Sequence, residues 1–126
     1  MTTSAPAKRN RQKAEKAGRR AELLAAIYLT LRGFQILERR YKTRAGEIDL
    51  IAKRKDTLIF AEVKARPSVD LAVEAVTPRA RRRIEQASRI FLSRQQRYAH
   101  YGVQFDIMAV TGLKITRLRD AWREGE

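Results

Sequence analysis

Two acids and a lysine occupy places where a buried strand has no ordinary use for them. Asp49 lies within Ile48-Asp49-Leu50-Ile51, and Glu62 and Lys64 end the apolar run Leu58-Ile59-Phe60-Ala61-Glu62-Val63-Lys64. Lys55-Asp56-Thr57 reads as the turn between two strands, and a hairpin built on it sets Asp49 beside Glu62. Strand alternation sends Glu62 and Lys64 to one face and Val63 to the other. Two carboxylates and the Val63 main-chain carbonyl form an oxygen-rich half-shell, which suits a hard ion such as Mg²⁺ or Mn²⁺. Lys64 would touch whatever water or phosphate that ion holds. Without an ion the pair is costly, because like charges about 4 Å apart repel by about 4 kcal/mol at an effective dielectric of 20. A Glu-x-Lys pair on a strand is most often a solvated ion pair. Here the apolar neighbours argue against an exposed edge, and two misplaced acids on adjacent strands favour a site.

Other candidates carry a plainer alternative. Glu22 borders the apolar stripe of the first helix; it is either a first-turn acid favoured by the helix dipole or a third ligand. Asp106, in Phe105-Asp106-Ile107, could reach the same cavity or hydrogen-bond a helix. His100 reads as a surface residue. With this single His and no Cys, thiolate sites, disulfides, Cys nucleophiles and His-rich metal sites are set aside.

The elements that must position these residues follow from periodicity. Ala21, Leu24, Ala25, Ile27, Tyr28 and Leu31 recur at helical spacing, which predicts a helix over about 17–32 capped by Gly33. Strands follow at Phe34 to Tyr41, around Ile48 to Ile51, and at Leu58 to Val63. Arg66 to Val76 reads as a loop. Thr77-Pro78 starts a long helix running to about Gln96, with Thr as cap and Pro in the first turn. Val103 to Val110 and Lys114 to Leu118 are the last two strands. This order predicts an α/β fold, a three-layer α/β/α domain around a mixed sheet of about five strands.

Charge points to a polyanionic partner. The 126 residues carry 28 Lys plus Arg against 14 Asp plus Glu, a net +14. Hydrophobic content of 44% supplies a core, and the length suits one domain. Residues 1–20 hold seven cations and one acid; of these, 1–16 read as a flexible basic tail and 17–126 as the folded domain. A second cluster, Arg79, Arg81, Arg82, Arg83, Arg89, Arg94 and Arg97, faces only Glu85. Such density suits nucleic acid or an anionic membrane surface, or is a solvated helix face; arginine forks bidentately onto phosphate, so nucleic acid is the expected partner, through Arg79, Arg81, Arg82, Arg83 and Arg89 in particular. The longest apolar run, Leu23 to Leu29, is far short of a membrane span, and no signal peptide is evident.

Glu22, Gly46-Glu47-Ile48-Asp49-Leu50-Ile51 and Glu62-Val63-Lys64 together resemble the PD-(D/E)xK nuclease superfamily, in which a helix Glu, an Asp and an E-x-K close a metal site. More closely, the chain is similar to the bacterial YraN family of endonuclease-like proteins over about 17–122. That likeness includes Ala75-Val76-Thr77, Phe105-Asp106, Ala109-Val110-Thr111-Gly112 and Asp120-Ala121-Trp122. It implies a restriction-endonuclease-like fold, similar to archaeal Holliday-junction resolvases, in a cytoplasmic protein. It also implies a Mg²⁺- or Mn²⁺-dependent nuclease acting on DNA, with branched or junction DNA among the substrates. Asp49, Glu62, the Val63 carbonyl and Glu22 would hold the metal, with Lys64 completing the catalytic set. One departure stands out: Ala80 occupies a position early in the long helix where a Lys is expected, leaving phosphate contact to Arg79, Arg81 and Arg83. Cutting both strands of a junction would call for a homodimer, though no segment marks its interface. The rivals are a non-catalytic nucleic-acid-binding module on the same fold and an RNA- or ribosome-associated basic protein. The intact Asp49, Glu62 and Lys64 favour the enzyme, since a pure binder gains nothing from acids facing phosphate.

Overall fold

The structure, a computed structural model, describes residues 4–126. In chain order it comprises α1 (Ser4–Leu31), β1 (Gln35–Lys42), β2 (Glu47–Arg54), β3 (Thr57–Ala65), α2 (Val69–Ala75), α3 (Pro78–Arg94), β4 (Gly102–Thr111) and β5 (Lys114–Trp122), with one 3-10 turn at Gln96–Tyr98. The five strands form one sheet in sequence order. β3 and β4 run parallel, joined by the crossover through α2 and α3, and every other neighbouring pair is antiparallel.

Each face of the sheet is covered by helix. Ala21, Ala25 and Leu29 of α1 pack on Leu50, Ala52, Ile59, Ala61 and Met108. On the other face Ile84, Ala87 and Phe91 of α3 meet Ile48, Leu58, Phe60, Phe105 and Ile107. β3 is therefore buried on both sides, as its unbroken apolar run requires. The expected three-layer arrangement is the one observed.

Three boundaries differ from the sequence reading, each for a local reason. Residues 1–16, expected as a flexible tail, are helical from Ser4, and side chains 7–16 are all exposed. Ala, Lys, Arg, Gln and Glu are strong helix formers, so the packed half of α1 propagates upstream without an apolar stripe of its own. Met1, Thr2 and Thr3 lie outside the described residues. The expected loop 66–76 contains α2: Ser68 caps it by accepting from the Leu71 N–H at 3.2 Å, and Asp70 sits in its first turn. β5 continues past Leu118 to Trp122 through an irregularity in its pairing with β4, with Asp120 at φ 50°. The buried Trp122 indole then donates to Glu85 Oε2 at 3.0 Å, which ties the end of the chain to α3. At the start of α3, Thr77 and Pro78 behave as their types predict, Thr77 Oγ1 accepting from the Ala80 N–H at 3.1 Å.

Candidate active site

The β2–β3 ladder pairs Arg54 with Thr57 at the turn and ends at Leu50 with Ala61. One step further the register would set Asp49 against Glu62, and there the side chain replaces the ladder: the Val63 N–H donates to Asp49 Oδ2 at 2.8 Å. Asp49 thus satisfies a backbone donor that would otherwise be orphaned where the strands part. Its other carboxylate oxygen remains for the site. The hairpin places Asp49, Glu62 and Val63 together as the sequence predicted.

Glu62 is nearly enclosed, with 13% of its side chain exposed, and among the described residues no cation is hydrogen-bonded to it. Lys64 Nζ stands 3.9 Å from Glu62 Oε2, on the same face of β3, which is an attraction without close contact. Burial pushes the Glu62 carboxyl up to about 9, and the neighbouring Asp49, within hydrogen-bonding reach, pushes the same way. Glu47 adds to this more weakly and Lys64 opposes it. At neutral pH the metal-free pair therefore holds a proton in the place of a cation.

Glu22 does not join this pair. Arg40 takes it, donating through Nε to Glu22 Oε1 at 2.8 Å. Among the described residues no three His, Asp or Glu side chains come together closely enough to hold an ion. Glu22, expected as a third ligand, faces a guanidinium instead of the pair, in a cleft of about 290 Å³ lined by Glu15, Gly18, Arg19, Arg40, Lys42 and Glu47 besides itself.

Arg40 is the residue beside the candidate site that the sequence reading missed. It falls between Arg39, paired with Leu50, and Tyr41, paired with Ile48, and so lies across β1–β2 from Asp49. Its φ of 53° is left-handed, a rare conformation for a strand residue with a side chain. The hydrogen bond to Glu22 and then the charge of Glu22 hold its guanidinium above the ordinary arginine value, with smaller contributions from the charges of Glu47 and Asp49. The only hint in the sequence is the unbroken charged run Glu38-Arg39-Arg40, which spoils the alternation of a regular strand.

The arginines of α3 separate into two kinds. Arg79, Arg82 and Arg83 are exposed. Arg83 borders the site, because Gly46, one residue before β2, packs so near that a Cβ there would lie 3.2 Å from Arg83 Cβ. Arg81 and Arg89 have other partners: Arg81 donates to the Val76 carbonyl at 3.1 Å and lies over the Trp122 ring, and Arg89 pairs with Glu124. Ala80 offers no charge. Asp106 takes neither of its two expected roles. It is fully buried and accepts from Arg117 Nε and from the Asp120 N–H, both at 2.8 Å, so it fastens β5 to β4. His100 is exposed.

The donor set fits a divalent ion. Mg²⁺ is commonly held by one or two carboxylates, with water and substrate phosphate filling the remaining positions. Asp49 and Glu62 supply hard oxygens, and the proton that burial forces on Glu62 is what a cation would displace. Glu22, bonded to Arg40, is outside that set.

The family model described as "Uncharacterised protein family UPF0102" matches residues 21–110. A UPF0102 protein of Mesorhizobium japonicum is 52% identical over 101 residues, covering 80% of this chain and 81% of its own. One from Paramagnetospirillum magneticum is 44% identical over 125 residues, covering 95% and 97%. A third, from Brucella canis, is 54% identical over 93 residues, 74% of each chain. The matched span holds Glu22, Arg40, Asp49, Glu62 and Lys64.

Proposed function

The chain belongs to the UPF0102 family, the YraN-like group that its motifs resemble, and from its site we propose that it is a divalent-metal-dependent nuclease. DNA is the substrate this reading favours, with branched or junction DNA a candidate form, and the cytoplasm is its place of action. The observation that carries the proposal is the Asp49–Glu62 pair: two carboxylates at a parting of strands, one nearly buried and without a bonded cation.

Asp49, Glu62 and the Val63 carbonyl would hold Mg²⁺ or Mn²⁺, which supplies an acidified water and neutralises charge on the phosphoryl oxygens. Lys64, on the same face as Glu62, orients or deprotonates the attacking water, or steadies charge developing on the phosphate. Arg79, Arg82 and Arg83 are free to grip flanking phosphates, Arg83 nearest the site. Cleavage of both strands of a junction would take two copies of the chain.

The test is purified protein with Mg²⁺ or Mn²⁺ against duplex, single-stranded, flapped and four-way DNA, with Asp49→Ala as control. Metal-dependent cutting that the substitution abolishes supports the reading. Cutting that persists in Asp49→Ala removes the assigned site. One observation favours a second reading, a nuclease fold that binds nucleic acid without cutting: Glu22 is committed to Arg40, which leaves two acids rather than three. That reading holds if the wild type binds DNA and cleaves none of the four forms. Among the described residues no helix is long and apolar enough to cross a membrane.

A further inference from the structure

The outer side of α1 is apolar where a solvated helix would be polar. Ala21, Ala25 and Leu29 are buried against the sheet. At about 100° per residue, the positions two further on point nearly the opposite way. These are Leu23, Ile27 and Leu31, which are 47, 47 and 78% exposed. Single exposed aliphatic side chains need no explanation, but three on one line, a turn apart, form a patch.

The two ends of this line differ in charge. At the Leu23 end, α1 and β1 enclose a groove of about 510 Å³ lined by Arg19, Arg20, Leu23, Arg39 and Arg40. Arg40 is bonded to Glu22, whereas Arg19, Arg20 and Arg39 have no ion-pair partner among the described residues. At the Leu31 end the helix stops with no basic residue in its last turn. The partial negative charge of its carbonyl end is offset only by Arg32, which donates to the Tyr28 carbonyl at 3.4 Å.

A nucleic acid would use these arginines and waste the aliphatic side chains, because no aromatic ring lines the groove for a base to stack on. A second copy of the chain uses both. Turned antiparallel about Ile27, two α1 helices set Leu23 against the partner's Leu31, and Ile27 against the partner's Ile27. Each arginine groove then receives the partner's Leu31 and the carbonyl end of its helix, with the arginine stems covering aliphatic surface. Parallel pairing would stack Arg19 and Arg20 on their own copies. Antiparallel pairing holds the two Arg20 residues about 20 Å apart along the helix axis, beyond the screening length at physiological salt.

We propose that this chain forms an antiparallel two-fold dimer through Leu23, Ile27 and Leu31 of α1. Three side chains per copy make a small interface and each copy carries a net +14, so the dimer is weak and reversible. Salt screens that repulsion and strengthens the dimer, the reverse of its effect on phosphate binding. The contact needs neither metal nor DNA and so goes beyond the nuclease reading. Where that reading holds, it supplies the second copy that cutting both strands of a junction requires.

The first experiment uses the absence of Cys from the chain, which lets one introduced thiol report its own contacts. Ile27→Cys should form a disulfide-linked dimer on mild oxidation. Leu23→Cys and Leu31→Cys should each do so about tenfold more slowly alone, yet join one another when mixed. The second is sedimentation of the full chain in chelator, without DNA, at concentrations up to about 100 µM. Wild type should show a monomer–dimer equilibrium that tightens with salt, and Ile27→Glu should weaken it about tenfold or more. Leu113→Glu makes the same change of charge at another exposed aliphatic residue and should not weaken it. A wild type that stays monomeric, or an Ile27→Glu variant that associates like wild type, overturns the dimer. Leu23→Cys linking to itself as fast as Ile27→Cys means parallel pairing and overturns the antiparallel assignment. A monomeric wild type whose Ile27→Glu variant loses binding to phosphatidylglycerol vesicles or to an oligonucleotide gives the patch to that partner instead. None of these measurements uses cleavage, so they stand or fall separately from the nuclease reading.

Discussion

Asp106, fully buried, and Glu62, half-buried, are acids on neighbouring strands of one sheet, yet their surroundings are opposite in kind. Asp106 has no exposed surface, and both its oxygens are taken, one by Arg117 and one by a backbone N–H. Glu62 has Lys64 at 3.9 Å and another carboxylate as its closest polar company. A sheet that can place a guanidinium against one buried acid could do so for the other. The difference shows that a buried carboxylate becomes a candidate site when its environment withholds the counter-charge, and a fastening when it supplies it.

The sharpest way to break this contrast is to remove each acid in turn. Asp49→Ala and Glu62→Ala should lower cleavage by about 1,000-fold, or about 4 kcal/mol in the barrier, with the fold kept. In chelator Glu62→Ala should leave DNA affinity unchanged, because the metal-free Glu62 already carries a proton, whereas Asp49→Ala should leave it unchanged or slightly tighter. Asp106→Ala should do the reverse. It strands Arg117 in a buried place, so a loss of about 3–5 kcal/mol of stability is expected, measured by denaturant unfolding. Equal destabilisation by Glu62→Ala and Asp106→Ala would erase the distinction between them.

A pH series sharpens the same comparison at smaller scale. The folded Glu62 holds its proton up to about 9, against an ordinary value of 4.5. The folded state therefore binds the proton more tightly than the unfolded state, and the metal-free protein must lose stability as pH rises through that window. Its melting temperature should fall between about pH 5 and 9, and Glu62→Gln should flatten most of that slope. Saturating Mg²⁺ should raise the melting temperature most at the alkaline end, where no proton competes. A metal-free wild type whose melting curve is as flat as that of Glu62→Gln would show that Glu62 is ionised and accommodated without a cation.

How far the sequence could carry this picture depends on what each residue's role is made of. Asp49, Glu62 and Lys64 were legible because strand alternation and a hairpin are local rules, and an acid inside Ile48-Asp49-Leu50-Ile51 breaks a local pattern. The layers were legible for the same reason. Asp106 breaks its pattern just as visibly, but its partner Arg117 lies on another strand across an irregular register, and nothing local distinguishes its fastening role from a site role. Glu22 was read as a ligand from a resemblance, whereas its actual partner depends on a left-handed Arg40 that no spacing rule foretells. The helical Ser4–Lys16 stretch was hidden because propensity alone leaves no apolar stripe to read.

Arg40 tests the comparison from the other direction, by withdrawing a counter-charge instead of an acid. It stands across the ladder from Asp49 and is bonded to Glu22, so it partly supplies to this end of the sheet what Arg117 supplies fully to Asp106. Paired strands are about 5 Å apart, so Arg40 stands on the strand next to the one that carries Asp49. Repulsion between its charge and an ion on the acids is screened by the solvent around the guanidinium and opposes metal binding only weakly. Arg40→Gln keeps a side chain that can still hydrogen-bond Glu22 but removes the charge. Divalent metal should then bind several-fold more tightly, and calorimetry should show the gain shrinking as salt rises. If the variant instead binds metal more weakly, Arg40 is needed to shape the site and the counter-charge account fails. An affinity unchanged at every salt concentration would mean that the guanidinium is spent wholly on Glu22, and that the acids of this end form two independent groups.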